Sequence, residues 1–413
     1  MTGGVVRSSS RADWVRGFQD QLGAGTFVGR VLDPAAGGAS PVRIDADGVH
    51  DLSRTFATMR TITELDDPAS SVRNGSGERL CSVEELVENS WHDDARPERP
   101  RLLCPFDLHA IKAAGVTFVT SMIERVIEER ALGDMASAAA VRKALAGLVD
   151  GTLASLRPGS PEAAEVRRVL IAEGLWSQYL EVGIGPDAEI FTKSPVLASL
   201  GYGAEVGILG SSAWNNPEPE MVIAVSSSGR PVGASLGNDV NLRDIEGRSA
   251  LLLPRAKDNN ASSAIGPWIR LFDDAYGVDD AASAIIALTV TGADDFVLEA
   301  HAHISEISRS IPDLVGQLVG SHHQYPDGAA LFLGTPFAPV KDRDAVGAGF
   351  THHVGDIVTI ATPSIGALTN QVNHSENCPP WRYGLHDFMT DLARRGLLSP
   401  APNGASHDHA DVH

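Results

Sequence analysis

Two glutamates, Glu218 and Glu220, flank Pro219 in the stretch WNNPEPEMV. In an extended strand, the side chains of residues i and i+2 point to the same face. Two carboxylates side by side repel each other, so a cation or a basic side chain must neutralise them. Pro219 cannot donate a hydrogen bond to a strand ladder, which places the pair at a sheet edge or at a strand end. The pattern therefore indicates a polar site that needs positive charge.

A third carboxylate, Asp239, follows on a segment that returns from a turn. The sequence predicts a strand over MVIAVS, a turn over SSSGRP and a return strand over PVGASLGND. A hairpin centred between Ser228 and Gly229 places Asp239 opposite Glu218, at a Cβ distance of about 5 Å. Three oxygen ligands, with no His or Cys at fitting spacing, favour Mg²⁺, Mn²⁺ or Ca²⁺ over zinc. They leave room for substrate and water, which suits a catalytic ion.

The spacing alone leaves a second interpretation open. In it, Glu218 and Glu220 are exposed strand residues and Asp239 caps a turn.

The elements that must position these residues begin with a separate N-terminal piece. Residues 1–95 are predicted to form a small domain that contains a strand, a turn and a strand around Asp47 and Gly48. Residues 96–107 are charged and contain proline, which is typical of a linker. The alternative is that the N-terminal piece is only a cap on the main domain.

Residues 108–395 are predicted to form the main, catalytic domain. Its segment 108–176 has apolar residues at helical spacing. The sequence after this segment is rich in glycine and in short β-branched runs, and it lacks the alternation of strands and helices of a doubly wound sheet. We therefore expect an α+β fold with a helical insertion. Residues 396–413 have little apolar content and are predicted to be a disordered tail.

Composition narrows the classes of function. The chain of 413 residues has 33 Lys and Arg against 53 Asp and Glu, a formal net charge of -20. Nucleic acids and anionic membrane surfaces need a basic face, so neither is an expected partner. No apolar run reaches the roughly 18–20 residues that span a bilayer. The three cysteines are odd in number and far apart, and we expect reduced thiols and a cytoplasmic protein.

The segment from Phe191 to Trp268 resembles the fumarylacetoacetate hydrolase family. Three ordered motifs carry this resemblance, and they are Glu218-Pro219-Glu220, then Gly237-Asn238-Asp239-Val240-Asn241-Leu242-Arg243-Asp244, then Lys257 before Gly266-Pro267-Trp268. The resemblance covers roughly residues 105–395. It implies a Gly-rich mixed β-roll, or flattened barrel, that acts on 2-oxo or 2,4-dioxo acids with Mg²⁺ or Mn²⁺. The residues that it implies are the ligands Glu218, Glu220 and Asp239, and the substrate contacts Arg243, Lys257, Gly334 and Thr335.

One departure separates this chain from the family's hydrolases of carbon–carbon bonds. Those enzymes carry a Tyr-x-x-His-type segment, whereas GVTFVTSMIERVIEE places Phe118 at the Tyr position with no His after it. This stretch resembles the GVTY…S…R…EE segment of 2-keto-3-deoxy-arabinonate dehydratases, as do PDAEIFTKSP and WNNPEPE. In that branch Glu189 and Lys257 match the acid–base pair. The resemblance implies a Mg²⁺-dependent lyase that dehydrates a 2-keto-3-deoxy sugar acid, such as 2-dehydro-3-deoxy-arabinonate, in sugar-acid catabolism.

Two other functions stay open at this point. One is a hydrolase that cleaves an acylpyruvate or a 2,4-dioxo acid, and the missing His weighs against it. The other is a non-catalytic metal-binding protein on the same fold, against which Glu189 and Lys257 weigh. Family members pair their β domains, so a homodimer or a homotetramer built from dimers is expected.

Several residues have a structural interpretation beside the functional one. Arg243 has Asp244 and Glu246 nearby as salt-bridge partners. His322 and His323 are interpreted as structural, because no motif gives them a role. Two tryptophans, Trp268 and Trp381, are interpreted as core or rim packing.

Overall fold

The computed structural model describes residues 11–135, 137–138, 156–172, 174, 176–337, 339–346 and 349–398. Among these residues, the strands are Phe27–Asp33 (β1), Gly38–Asp45 (β2), Gly48–Asp51 (β3), Glu78–Cys81 (β4), Arg101–Leu103 (β5), Ala110–Gly115 (β6), Glu189–Ser194 (β7), Glu205–Ile208 (β8), Asn215–Asn216 (β9), Pro219–Val225 (β10), Pro231–Asp239 (β11), Asn241–Leu242 (β12), Ser263–Leu271 (β13), Ile285–Thr291 (β14), Val297–His303 (β15), Ala329–Phe332 (β16), Ile357–Thr362 (β17) and Gly366–His374 (β18).

The α-helices of the described residues are mostly short. They are Asp13–Arg16 (α1), Gln19–Ala24 (α2), Met59–Thr63 (α3), Pro68–Asn74 (α4), Val83–Asn89 (α5), Val119–Arg130 (α6), Pro161–Ala172 (α7), Gln178–Ile184 (α8), Arg243–Glu246 (α9), Leu253–Lys257 (α10), Val278–Ala282 (α11), Ile311–Leu318 (α12) and Leu385–Arg394 (α13). None of these helices has the length and apolar content needed to cross a bilayer.

Two mixed sheets form the centre of the fold. The larger sheet has 11 strands in the order β4-β3-β2-β1-β13-β11-β10-β16-β6-β7, with β5 paired to β1. The smaller sheet has five strands in the order β15-β14-β17-β18-β8, and it packs on the middle of the larger one, with β13 against β18 and β11 against β17. Most pairs are antiparallel, while β16 with β6 and β18 with β8 are parallel. The predicted α+β class is confirmed.

The N-terminal strands belong to the larger sheet. Strand β1 pairs with β13, with Phe27 opposite Arg270. Trp14, Phe18 and Phe27 surround the fully buried Trp268, with ring centroids 5.6, 5.9 and 6.0 Å away. Trp268 is therefore a core residue, as expected. The division into residues 1–95 and a linker over residues 96–107 stays a prediction, and the linker range contains β5.

The predicted hairpin forms with the predicted register. Strands β10 and β11 pair with Pro219 opposite Asn238 and Glu220 opposite Gly237, and this register continues to Ala224 opposite Gly233. The backbone N–H of Asp239 donates to the carbonyl of Glu218 at 3.0 Å, which extends the ladder by one residue. Counting residues about the turn was sufficient because the turn is short and local.

The prediction of a helical segment over residues 108–176 is wrong at its start. Residues Ala110–Gly115 form β6, which lies between β16 and β7 in the larger sheet. The run AIKAAG is short and apolar, and such a run is ambiguous between a helix and a buried strand. The helical part begins at Val119. Much of the rest of that segment, residues 139–155, lies outside the described residues, as does the predicted tail from residue 399 onward.

Candidate active site

The hairpin of β10 and β11 brings three carboxylates together at its open end. Glu218, Glu220 and Asp239 each offer an oxygen within 4.8 Å of those of the other two. They are only 2, 1 and 2% exposed, so the interpretation as exposed strand residues is wrong. Glu218 directly precedes β10 and Asp239 ends β11, which agrees with the strand end that Pro219 predicted.

Two lysines supply positive charge to this cluster. Lys257, the last residue of α10, places its Nζ 2.5 Å from Glu218 Oε2 and 3.0 Å from Asp239 Oδ2. Lys193 in β7 is fully buried, and its Nζ lies 2.8 Å from Asp239 Oδ1. Lys193 also donates to the backbone carbonyls of Val240 and Lys257. It thereby joins the third carboxylate to the end of α10.

The contact between Lys193 and Asp239 also shows that the larger sheet is strongly curved. Three strands, β10, β16 and β6, separate β11 from β7. In a flat sheet with about 4.8 Å between strands, β7 and β11 would lie roughly 19 Å apart. A lysine side chain bridges them here, so this end of the sheet curls into the predicted flattened barrel.

Helix α6 contributes a row of charged side chains behind the cluster. Arg125 contacts the ligand candidate Glu218, and its Nη1 lies 2.7 Å from Glu128 Oε2 and 3.1 Å from Glu246 Oε2. Ser121 on the same helix lines the cavity that the cluster borders. The helix is therefore one wall of the site.

Arg243 is buried and paired with acids of helix α6, whereas the resemblance implied a contact with the substrate. Its guanidinium is held by Glu124 Oε2 at 2.8 Å and by Glu128 Oε1 at 2.7 Å, and it stacks on Trp214 with 4.2 Å to the ring centroid. Its ion pairs among the described residues run to helix α6 and not to Asp244 or Glu246, so the expected local pair does not form. Arg243 is absent from the described residues that line the cavity, and its substrate contact stays a prediction.

Glu189, the predicted proton-transfer residue, begins β7 and lines the same cavity. It stands opposite Gly115 of β6. A Cβ at residue 115 would lie 2.2 Å from Glu189 Oε2, so the carboxylate occupies space that only a glycine leaves open. The next residue, Val116, has a φ of 56°, which is unusual for a β-branched residue. The chain thus turns sharply beside the carboxylate.

Gly334 and Thr335 follow β16 and face the cluster from the other side. The N–H of Gly334 donates to Glu220 Oε2 at 2.7 Å. Gly334 has a φ of 95°, a conformation that favours glycine. Thr335 lines the cavity, and its hydroxyl donates to the carbonyl of Phe337 at 2.8 Å. Of the five residues predicted for catalysis and substrate contact, the cavity is lined by Glu189, Lys257 and Thr335.

Burial and neighbouring charges set the protonation of these groups. Burial raises the pKa of Glu189, against the effect of Arg125. Burial, reinforced by Asp239 and Glu218, raises the pKa of Glu220 well above its usual range. Burial opposes ionisation of Asp239, but the ammonium groups of the two lysines lower its pKa. Carboxyl groups in one cavity are therefore shifted in opposite directions, a pattern that clusters at functional sites.

The residues present fit a divalent cation. Carboxylate oxygens are the ligands that Mg²⁺ and Mn²⁺ prefer. Linked ion pairs and a shared cavity join seven acids to four basic residues, so carboxyl groups outnumber cationic side chains. These residues are Glu124, Glu128, Glu189, Glu218, Glu220, Asp239 and Glu246 with Arg125, Lys193, Arg243 and Lys257. A divalent ion between the three clustered carboxylates would offset much of that excess.

Sequence reasoning missed three residues of this site. Arg125 and Lys193 lie within stretches quoted for the family resemblance, in SMIERVIEE and IFTKSP. Glu246 lies two residues beyond the motif that ends at Asp244, and it was considered only as a partner of Arg243. The available signal was a charged residue beside a motif, but the partners of these residues are far away in sequence.

His109, another residue with catalytic chemistry, is fully buried and bonds to Thr63 at 2.8 Å, away from the cavity. His322 is exposed and bonds to the backbone of Gln317.

Comparison with curated proteins relates the chain to sugar acid dehydratases. The probable 2-keto-3-deoxyxylonate dehydratase of Haloferax volcanii is 29% identical over 324 residues, which cover 78% of this chain and 91% of that protein. The 2-dehydro-3-deoxy-D-arabinonate dehydratase of Saccharolobus solfataricus is 29% identical over 184 residues, 45% of this chain and 58% of that protein. No family model matches the chain.

Solved structures share the fold. The apo form of a 2-keto-3-deoxy-D-arabinonate dehydratase superimposes with a TM-score of 0.59 and 20% identity, covering 84% of this chain and 99% of that one. A structure of 2-keto-3-deoxy-D-arabinonate dehydratase complexed with magnesium and 2,5-dioxopentanoate gives a TM-score of 0.59 with 21% identity and the same coverage. The curated relatives confirm the predicted resemblance to 2-keto-3-deoxy sugar acid dehydratases, and the solved structures confirm the predicted fold.

Proposed function

We propose that this chain, a relative of the 2-keto-3-deoxy sugar acid dehydratases, is itself a metal-dependent dehydratase of such an acid. The observation that carries the proposal is a buried cavity in which Glu189 faces a cluster of three carboxylates. The product would be an oxo-aldehyde acid. Arabinonate and xylonate of one configurational series differ only at C2 and C3, and both centres are lost in the 2-keto-3-deoxy acid. Only the C4 centre is therefore left for the site to recognise.

The cation is held by Glu218, Glu220 and Asp239 in this proposal, with Mg²⁺ as the physiological ion and Mn²⁺ as a substitute. When bound, such an ion polarises the 2-oxo group and makes the C3 protons of the substrate acidic. The N–H of Gly334 orients Glu220 by its hydrogen bond of 2.7 Å. Hydrogen bonds of this kind to a ligand typically change metal affinity or activity 10- to 100-fold when removed.

Glu189 is the base that removes a C3 proton. Burial raises the pKa of its carboxyl, which makes the carboxylate a stronger base than one in water. Lys257 contributes positive charge beside the 2-oxo end of the substrate, because its Nζ lies among the metal-binding carboxylates. Thr335, which lines the cavity, and the backbone around Gly334 are the proposed contacts of the substrate carboxylate.

A hydrolase of an acylpyruvate or a 2,4-dioxo acid is the second candidate. It needs a base to activate water, usually a His in the family's hydrolases by the resemblance given above. Among the described residues that line the cavity there is no histidine. Elimination of water requires no activated water, so the residues present favour the dehydratase.

The deciding experiment supplies both substrate types to the magnesium-loaded protein. We expect 2-keto-3-deoxy-D-arabinonate to give 2,5-dioxopentanoate, detected by mass spectrometry, and acetylpyruvate to remain intact. Formation of pyruvate or oxalate with a short acid from acetylpyruvate, without turnover of the sugar acid, would instead make the protein a hydrolase. Turnover of neither substrate would leave only the metal-binding function.

The remaining parts of the proposal concern location and assembly. The three cysteines are unpaired, which supports a reducing, cytoplasmic location. We propose a homodimer, or a homotetramer built from dimers. Light scattering at micromolar concentration tests the assembly, and a mass near that of one 43.5 kDa chain would contradict it.

A further inference from the structure

We propose that Glu246 is a second proton-transfer residue of this site, the acid that protonates the departing C4 hydroxyl of the substrate. The inference rests on the proposed dehydration and deepens it. Glu246 ends helix α9 and lines the same cavity as Glu189. It is only 3% exposed. A buried carboxyl that borders a catalytic cavity is costly unless it is neutral or paired.

The position of Glu246 relative to the three-carboxylate cluster points to C4. Arg125 contacts Glu218 with Nη2, and its Nη1 lies 3.1 Å from Glu246 Oε2. One guanidinium group therefore separates Glu246 from the cluster. A substrate held at its 2-oxo end by the cluster would present C3 to Glu189 and the next carbon to Glu246.

Lys257 is less suited to protonate the leaving group. Its Nζ is engaged by Glu218 at 2.5 Å and by Asp239 at 3.0 Å, so the ammonium points to the cluster. Burial raises the pKa of Glu246 to about 7, against the effect of Arg125. An acid that is half protonated near neutral pH is well matched to a general acid.

The proton transfers balance over the whole reaction. Glu189 takes the C3 proton, the C4–O bond breaks with both its electrons, and the proton of Glu246 joins the departing oxygen as water. The product at this stage has a C3–C4 double bond and an intact C5 hydroxyl. Glu246, now ionised, then takes a C5 proton, while Glu189 returns its proton to C3. The enol that leaves becomes the oxo-aldehyde in solution, and both glutamates regain their starting protonation.

The experiment compares two leaving groups in the magnesium-loaded protein. Glu246→Gln keeps the shape of the side chain and an acceptor for Arg125, but it has no acid proton. We expect kcat for 2-keto-3-deoxy-D-arabinonate to fall by about 10²–10⁴. Fluoride leaves without a proton more readily than hydroxide, so release of fluoride from the 4-deoxy-4-fluoro analogue should fall by less than about tenfold. Exchange of the C3 hydrogens with D₂O should persist, because Glu189 is unchanged.

The matched control is Glu128→Gln. Glu128 is fully buried and also pairs with Arg125, but it does not line the cavity. If Glu246 acted only by orienting Arg125, each variant would lower the elimination rates of both substrates by the same factor. An unchanged ratio of the hydroxide to the fluoride elimination rate in Glu246→Gln would therefore overturn the inference. Absence of any elimination by the unmodified protein would instead overturn the proposed function. Melting temperature and bound Mg²⁺, measured in parallel, identify a variant that fails to fold, and Glu246→Asp then provides the second test of the ratio.

Discussion

Replacing Gly115 by alanine perturbs Glu189 and leaves the three proposed metal ligands unchanged. The added Cβ would lie 2.2 Å from Glu189 Oε2. A carbon and an oxygen that are not bonded approach to roughly 3.3 Å, so the carboxylate must move by about 1 Å or rotate away. A displacement of about 1 Å of a catalytic group costs on the order of 10²-fold in rate. We expect kcat of Gly115→Ala to fall by about that factor.

The backbone itself should accept this change. Gly115 lies in the regular part of β6, opposite Glu189, and its φ is outside the range that excludes alanine. Stability should therefore change little, and bound Mg²⁺ should stay at one ion per chain because Glu218, Glu220 and Asp239 are untouched. The assay is steady-state turnover of 2-keto-3-deoxy-D-arabinonate, with melting temperature and metal content measured on the same preparation.

The control for this variant is Gly316→Ala in α12, where an added Cβ meets no atom within 4 Å. It should retain wild-type turnover and stability. If Gly115→Ala keeps kcat within about threefold of wild type while folded and loaded with metal, the Glu189 carboxylate does not act from the position described above. The assignment of Glu189 as the base would then be wrong.

Further predictions concern the same site and its support. Removing one of the three clustered carboxylates by Glu220→Ala or Asp239→Ala should weaken Mn²⁺ binding at least about 10-fold, and unchanged affinity by calorimetry would contradict the ligand assignment. Glu189→Gln should keep its metal and lose about 10²–10⁴ in kcat with little change in KM; loss of the metal would place Glu189 among the ligands. Arg243→Met removes the buried guanidinium that pairs with both Glu124 and Glu128, and it should destabilise the protein by roughly 3–5 kcal/mol in urea unfolding. A raised KM at unchanged stability would instead support the predicted substrate contact.

The carboxylate cluster could be predicted from the sequence because its geometry is local. A short turn fixes the register of β10 and β11, so counting outward from Ser228 and Gly229 placed Asp239 opposite Glu218. The family resemblance then supplied Glu189 and Lys257 from distant segments. Both steps used residues whose positions are set by a motif or by an adjacent turn.

The rest of the site depends on contacts that no local pattern encodes. Lys193 reaches Asp239 only because the sheet curls, and the curl is a property of all the strands together. Arg125 meets Glu218 from a helix 93 residues away. The strand at Ala110–Gly115 was predicted as helix, because its alanines favour helix and only its place between two other strands decides otherwise.

The order of strands in the larger sheet also bears on how the protein is made. Strand β1 leaves the ribosome before the other described strands, but it pairs with β13, more than 230 residues later. Strand β6 likewise pairs with β16, more than 210 residues later. Until residue 332 is synthesised, the early strands expose edges and apolar faces that have no partner. Sheets built from such distant pairings form slowly and are prone to aggregate. Pulse-labelled nascent chains should therefore stay sensitive to protease until β16 has left the ribosome, and their demand for chaperones should be greatest during that interval.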